Sequence, residues 1–419
     1  MLAVSYLDRI NLSIAGNSIS ADYGLSKVQL GYVYSSYLWT YLIVLIPVGL
    51  AVDRIGSRLL GSASLLVWSV GGALTGAVTG LVPLFAARMV LGIGESAGYP
   101  VGGRVVEEWA PRSERGRASS WLNGGAYAGM AIGALIVGPI VSAWGWQTSF
   151  FITGALGVLF ALSWWRFYRT PGQARWLTRE ERELIRSDAD TENPAVTPVP
   201  DAEAPEPILS SIKGLMHSPT MRGLALTQGC AGYTLYLFMT WLPSYLADDR
   251  GMSTVQSSTF TAVPYGVAVI LGLLLGKFSD GLLRGSSSGL TTRRRLIAAC
   301  MVCSAVILAA PAVNQTWLLL VLFSISLTCV STAMGLAIAL TTELLEDRRR
   351  AGAAISCLIF GGNLFGVLAP IVTGYVVSGT GTFSAAFLLA GLLLLVGCGA
   401  VLTLTRRPIS ARPWPANQP

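Results

Sequence analysis

Twelve apolar runs punctuate this chain, at roughly 1–19, 28–52, 59–79, 82–104, 118–140, 148–168, 220–247, 256–277, 295–311, 316–339, 352–377 and 382–404. Each is close to the length of about 20 residues that a helix needs to cross a hydrocarbon core about 30 Å thick. They fall six and six around a polar stretch near 169–219. The pattern predicts an all-α membrane protein with twelve transmembrane helices. One six-helix bundle spans 1–168, a cytoplasmic central loop 169–219, a second bundle 220–404 and a cytoplasmic tail 405–419. The first helix is short at its front. Asp8 belongs near mid-membrane, yet only seven residues precede it. About ten more are needed to reach the membrane face at 1.5 Å per residue. The expectation is a start codon assigned too late or a truncated chain; a re-entrant or tilted first helix is the alternative.

The central loop reads in three parts. Thr178-Arg-Glu-Glu181 has the spacing of a capping box, which predicts a short surface helix. Asn193 to Pro207 is acidic and Pro-rich, the composition of a disordered or polyproline linker. Ile208 to Met216 is expected as an amphipathic helix on the inner membrane face.

Composition sharpens this picture. Of 419 residues, 53% are hydrophobic and 12% charged, against about 25% charged in soluble domains. The net charge of +7 is orientation signal. Of the 29 Lys and Arg, all but four fall on one side of the helix map; Lys27 and Arg250 fall on the other, and Arg9 and Arg88 within the membrane. The crowded side is therefore expected to be cytoplasmic, with both termini inside, and nucleic acid is not needed as a partner. The six cysteines all lie in apolar runs, without metal-ligand spacing to a His, and read as small buried hydrophobes. The chain has no P-loop pattern. Its one histidine, His217, falls in the central loop, so no His proton relay, metal centre or cofactor is expected.

Four charges break the apolar pattern. Leu84 to Val106 carries Arg88 and Glu95, seven positions apart and so on one side of a helix, about 10 Å apart along its axis. Asp8 and Arg9 stand in the first run. A charge at mid-membrane costs about 2.5–3.5 kcal/mol on insertion scales, so such residues normally face a partner or a wet path. Of the 22 acids, only Asp8 and Glu95 sit at that depth. The competing reading is a static structural ion pair, Asp8 with Arg88 or Arg9 with Glu95.

Between the second and third runs stands Gly49-Leu-Ala-Val-Asp53-Arg54-Ile-Gly56-Ser-Arg58. It resembles the inter-helix signature of the major facilitator superfamily, against the plainer reading of an ordinary positive loop. A worn copy, Gly276-Lys-Phe-Ser-Asp280, sits between the eighth and ninth runs and fits two parallel six-helix repeats. Tyr6-Leu-Asp8-Arg9-Ile-Asn11-Leu-Ser13 resembles the first-helix signature of the anion:cation symporters, a branch that includes bacterial hexonate and hexarate importers. Arg88 to Pro100, Trp241-Leu-Pro243-Ser-Tyr245-Leu246 and Asn363-Leu-Phe-Gly366-x-x-x-Pro370 are similar to further signatures of that branch.

The resemblance implies roles residue by residue. Arg9 holds the substrate carboxylate, for which a guanidinium fork is well shaped. Tyr6, Tyr41, Tyr233, Tyr236 and Asn363 line the substrate site, although each tyrosine is as readily packing or interfacial. Asp8 and Glu95 carry protons, and Arg88 ties their charge to the substrate. Gly49, Asp53, Arg54, Gly56 and Arg58 form a gating motif, with Gly49 allowing close helix approach and Asp53 pairing with a base or a helix N-terminus. The second half departs from the branch: Leu340-Thr-Thr-Glu343 and Ile359 stand where many members carry a Trp and a second Asn. That departure makes a smaller or more aromatic carboxylate a candidate beside the sugar acids.

The function implied is secondary active import of an organic carboxylate coupled to protons by alternating access, in a cell membrane, by a chain working as a monomer. An antiporter or exporter of the same fold is one alternative, disfavoured because Gly138-Pro139-Ile-Val-Ser142-Ala143 breaks the exporters' extended glycine motif. A solute sensor would want a folded output domain. An embedded enzyme would want a nucleophile or metal set.

Overall fold

The computed structural model describes residues 1–111, 114–174, 176–178, 180–185, 208–284, 289–347 and 350–410. The Pro-rich segment expected as a linker lies outside these. The described chain is almost wholly helical: α1 (Leu2–Tyr23), α2 (Lys27–Ile55), α3 (Ser57–Ala77), α4 (Leu81–Glu95), α5 (Gly98–Trp109), α6 (Arg115–Trp144), α7 (Trp146–Phe167), α8 (Ile208–Met216), α9 (Pro219–Asp248), α10 (Thr254–Arg284), α11 (Gly289–Ser304), α12 (Thr316–Leu344), α13 (Ala351–Thr380) and α14 (Ser384–Leu404). A 3-10 turn over Ala305–Ala312 extends α11. With α4 and α5 counted as one span, and α8 set aside as too short to cross, these make the twelve membrane helices the hydropathy pattern calls for.

Nine helical segments among the described residues are long and apolar enough to cross a membrane by composition alone. Neither α1 nor α9 is one of them. The first carries Asp8, Arg9 and Asn11, the second Thr227, Gln228, Thr234 and Thr240, and all of these side chains are buried. Polar helices of this kind are tolerated at membrane depth when protein, not lipid, surrounds them.

The fourth span is broken just after Glu95. Proline lacks the N–H that bonds the carbonyl four residues back, and its ring clashes with that carbonyl. For Pro100 that carbonyl belongs to Ser96, so α4 stops at Glu95 and α5 starts at Gly98. Glycines seat α4 against its neighbours. A Cβ on Gly92 would lie 2.0 Å from the Tyr37 carbonyl oxygen of α2, and one on Gly94 2.4 Å from the Trp68 nitrogen of α3. Valine at Gly94 is expected to cost roughly 1–3 kcal/mol of overpacking and to lower the melting temperature of detergent-purified protein. Gly103→Ala, which meets open space, serves as the unchanged control.

By contact the chain forms two units. One comprises Met1–Asn11 and Ser36–Pro205, the other Leu12–Ser35 and Glu206–Pro419. The far ends of α1 and α2 therefore cluster with the C-terminal helices. Within that second unit Ser13 donates to the Thr240 carbonyl at 2.8 Å, Tyr34 packs edge-on against Trp241 at 5.1 Å, and Asp248 accepts from both Lys27 and Asn17.

Several local expectations are met and others corrected. Thr178 and Glu181 form the reciprocal capping box: Thr178 N–H donates to the Glu181 carboxylate at 2.9 Å, and Glu181 N–H donates to the Thr178 hydroxyl at 3.2 Å. Those Thr178 donors hold the exposed Glu181 carboxyl below its ordinary value. His217 is exposed, its Nδ1 2.7 Å from the Lys213 carbonyl. In α8, Leu215 is fully buried and Met216 is exposed. All six cysteines are free, but only Cys230, Cys357 and Cys398 are buried. Cys303 is exposed and Cys300 and Cys329 are half-buried, because the outer faces of membrane helices are apolar too and composition cannot separate them from a core. The start of the tail is docked, with Ile409 bridging Leu345 in parallel and Thr220 donating to the Arg407 carbonyl at 2.7 Å.

Candidate functional site

In the first unit the four membrane charges converge. Asp8 and Arg9 come from α1, Arg88 from α4, and Glu95 from the last residue of α4, where the break places it. All four are at most 6% exposed. Arg9 Nε donates to Glu95 Oε2 at 2.8 Å, with the two side chains 4% and 0% exposed. Of the two ion pairs open on sequence grounds, this is the one that forms. Asp8 has the Thr153 hydroxyl and Arg88 as neighbours without a close hydrogen bond to either, and Nε and Nη1 of Arg88 and Oε1 of Glu95 likewise make none. An unpaired buried charge costs several kcal/mol. The cluster thus holds one satisfied pair beside an acid and a base with unspent bonding capacity.

Tyrosines enclose Arg9. Its Cζ lies 4.5 Å from the ring centroid of Tyr6, 4.9 Å from Tyr37 and 5.5 Å from Tyr41. A cation over an aromatic face gains about 0.5–2 kcal/mol, more when water is excluded. Arg88 sits on the same Tyr37 ring at 5.6 Å, so one aromatic side chain touches both guanidinium groups. The Tyr6 and Tyr99 hydroxyls are 3.2 Å apart. Tyr37 and Tyr99 were not singled out in the sequence. Tyr37 stands one helical turn before Tyr41, on the same side of α2. Below Asp8 a polar ladder fixes α1: Asn11 donates to the Thr153 hydroxyl at 3.2 Å, and Ser149 donates to Asn11 Oδ1 at 2.7 Å.

In the second unit Tyr236 donates to Asn363 Oδ1 at 2.9 Å, and Asn363 Nδ2 donates to the Ile359 carbonyl at 3.0 Å. Gly366 makes room for the Tyr236 ring, which a Cβ there would meet at 2.5 Å. Trp241 Nε1 donates to the Pro370 carbonyl at 3.1 Å. The Trp-Leu-Pro stretch and the Asn-Leu-Phe-Gly stretch are therefore two faces of one contact. Tyr233 is buried with its hydroxyl neighbouring that of Thr373. Leu340 is buried, and Glu343 pairs with Arg293 at 2.8 Å.

The loop motif is built within the first unit. Gly56 takes φ +84 between α2 and α3, a backbone region that residues with a Cβ rarely adopt. Asp53 lies 3.9 Å from Arg104, which also binds Glu107 at 3.2 Å and Glu108 at 3.1 Å. Glu108 in turn accepts from Ser57 at 3.0 Å and Tyr168 at 2.8 Å. Arg58 donates from Nε and Nη2 to the Trp165 carbonyl at 3.0 and 2.7 Å. Arg54 is exposed. A Cβ on Gly49 would meet nothing within 4 Å among the described residues. The worn copy at 276–280 lies inside α10, its side chains outside the described residues.

In a polytopic helical protein, ionisable groups gathered at membrane depth mark a path for ions or polar solutes, the feature that defines membrane transporters. The chain belongs to the major facilitator superfamily, whose model matches residues 1–287 and 281–419. It is 32% identical to the probable galactarate/D-glucarate transporter of Escherichia coli (strain K12), over 96% of this chain and 90% of that one. It is 30% identical to the hexuronate transporter of Bacillus subtilis (strain 168), over 98% and 93%. With the D-galactonate transporter of Escherichia coli O6:H1 it shares 29%, over 96% and 93%. Among solved structures, a bacterial homologue of the human lysosomal transporter Spinster has the same fold, with a TM-score of 0.73 at 17% identity, covering 99% of this chain and 97% of that one.

Proposed function

We propose that this protein imports a sugar acid, or another small organic carboxylate, together with protons by alternating access. The observation that carries the reading is the buried Arg9–Glu95 pair beside Asp8 and Arg88. Arg9 is held by a carboxylate it can exchange for the substrate's. When Glu95 takes a proton, its claim on Arg9 lapses and the guanidinium fork is released to an incoming anion. Asp8, buried beside Glu95 and Arg88 without a close ion pair, is the second proton carrier, and Arg88 balances the charge of whichever acid is ionised. When protons leave, Glu95 reclaims Arg9 and displaces the anion. The relatives' names put galactarate, D-glucarate, galactonate and hexuronates first among candidates.

Purified protein in liposomes tests this. An inward proton gradient is expected to drive accumulation of at least one of these acids, and collapse of the gradient to abolish it. Accumulation against an outward-directed drive instead favours the exporter reading. The Arg-rich side is assigned to the cytoplasm, with both termini there. A fluorescent protein fused after the last residue is accordingly expected to fluoresce, and alkaline phosphatase fused at the same point to be inactive.

A further inference from the structure

Beyond the last turn of α7, Arg58, Arg169, Gln173 and Trp176 line an open surface pocket of about 490 Å³. It lies at the end of the first unit that carries the loop motif, away from the four buried charges; of its lining residues only Arg58 also belongs to that motif.

Three features define what fits. The first is unneutralised positive charge. Among the described residues, the charged groups that bear on Arg169 are Arg58 and Arg166, both cationic. Arg58 spends Nε and Nη2 on the Trp165 carbonyl, and Arg169 spends Nη1 on the Tyr168 carbonyl. Each keeps further N–H donors. Paired guanidinium groups of this kind recognise phosphate oxygens. The second is an aromatic rim. Trp165 is 47% and Trp176 65% exposed, Arg58 stacks on Trp165 at 4.8 Å, and Trp176 stacks on Trp109 at 6.3 Å. Tryptophan concentrates at headgroup depth, where one edge of the ring is wet and the rest apolar. The third is an apolar lane. Leu159, Leu162 and Trp165 follow one another every third residue along α7, the two leucines 62% and 56% exposed, and Trp165 carries Arg58 on its ring. A soluble anion has no use for such a lane; an acyl chain does.

We infer that this pocket binds the headgroup of an anionic phospholipid, its phosphate on Arg58 and Arg169 and an acyl chain along Leu159 and Leu162. Basic pockets beside membrane helices hold lipid headgroups in this manner. Arg58 joins α3 to the end of α7, and the lipid phosphate supplies the negative charge that the described lining residues do not.

The test uses the full chain, purified in detergent and stripped of lipid, with thermal unfolding as the readout. Dioleoylphosphatidylglycerol is expected to raise the melting temperature by roughly 2–4 °C at about 100-fold above its Kd. Dioleoylphosphatidylcholine and inorganic phosphate at matched concentration are expected to leave it unmoved. Arg58→Gln with Arg169→Gln should remove the phosphatidylglycerol shift. Should the Arg58 change prevent folding, Arg169→Gln alone, which breaks one hydrogen bond to a backbone carbonyl, should halve the shift or more. Mass spectrometry of lipid carried through purification should show phosphatidylglycerol on the wild type and less on Arg169→Gln. An undiminished shift in the variants overturns the site. An equal shift with phosphate or phosphatidylcholine overturns the assignment to an anionic lipid.

Discussion

Replacing Glu95 by Gln is expected to uncouple the protein: accumulation falls to the level of simple equilibration while exchange of substrate across the membrane continues. If one proton accompanies each substrate, an inward gradient of two pH units supports about 100-fold accumulation, since each tenfold ratio corresponds to about 1.4 kcal/mol. The variant should lose all of it. Glutamine keeps the shape of the side chain and still offers Arg9 an oxygen at the 2.8 Å position, but it neither binds nor releases a proton. Counterflow with substrate preloaded in proteoliposomes reads exchange without needing protons to move. Loss of counterflow together with accumulation would make Glu95 a structural partner of Arg9 and nothing more.

Arg9→Lys should do the opposite damage. Charge is retained, but the planar fork is lost, and with it the stacking on Tyr6, Tyr37 and Tyr41. A hydrogen bond to a charged group contributes about 1.5–3 kcal/mol, so the apparent affinity in counterflow should weaken by roughly 10- to 100-fold. Lysine at this position still neutralises Glu95, so the protein should fold and reach the membrane. Unaltered concentration dependence would remove Arg9 from the substrate site.

How much of this was readable beforehand depends on what kind of information each feature needs. The twelve spans were legible because a bilayer imposes one requirement on every lipid-facing residue, and apolar run length reports it directly. Helix ends were not: α2 and α10 continue beyond their apolar runs into polar sequence, where hydropathy is silent about backbone conformation. The break after Glu95 left its mark in Pro100, but an uninterrupted apolar run masked it. The four charges announced themselves by their cost in a membrane. Which arginine met which carboxylate was not legible, since Asp8 and Arg9 are adjacent on α1 and only the approach of α4 decides that Arg9 reaches Glu95. Tyr37 escaped notice for a related reason: at helical spacing a buried tyrosine looks the same whether it packs against leucine or lies under two guanidinium groups.

The allocation of Leu12–Ser35 to the C-terminal unit has a consequence for the gene. Cut between codons 205 and 206, it yields two polypeptides, and the second would lack the hairpin that supplies the buried Ser13 and Tyr34 and the more exposed Asn17 and Lys27 to its contacts. That second polypeptide, made alone, should be degraded. Made alongside the first it should survive, each fragment rescuing the other in trans.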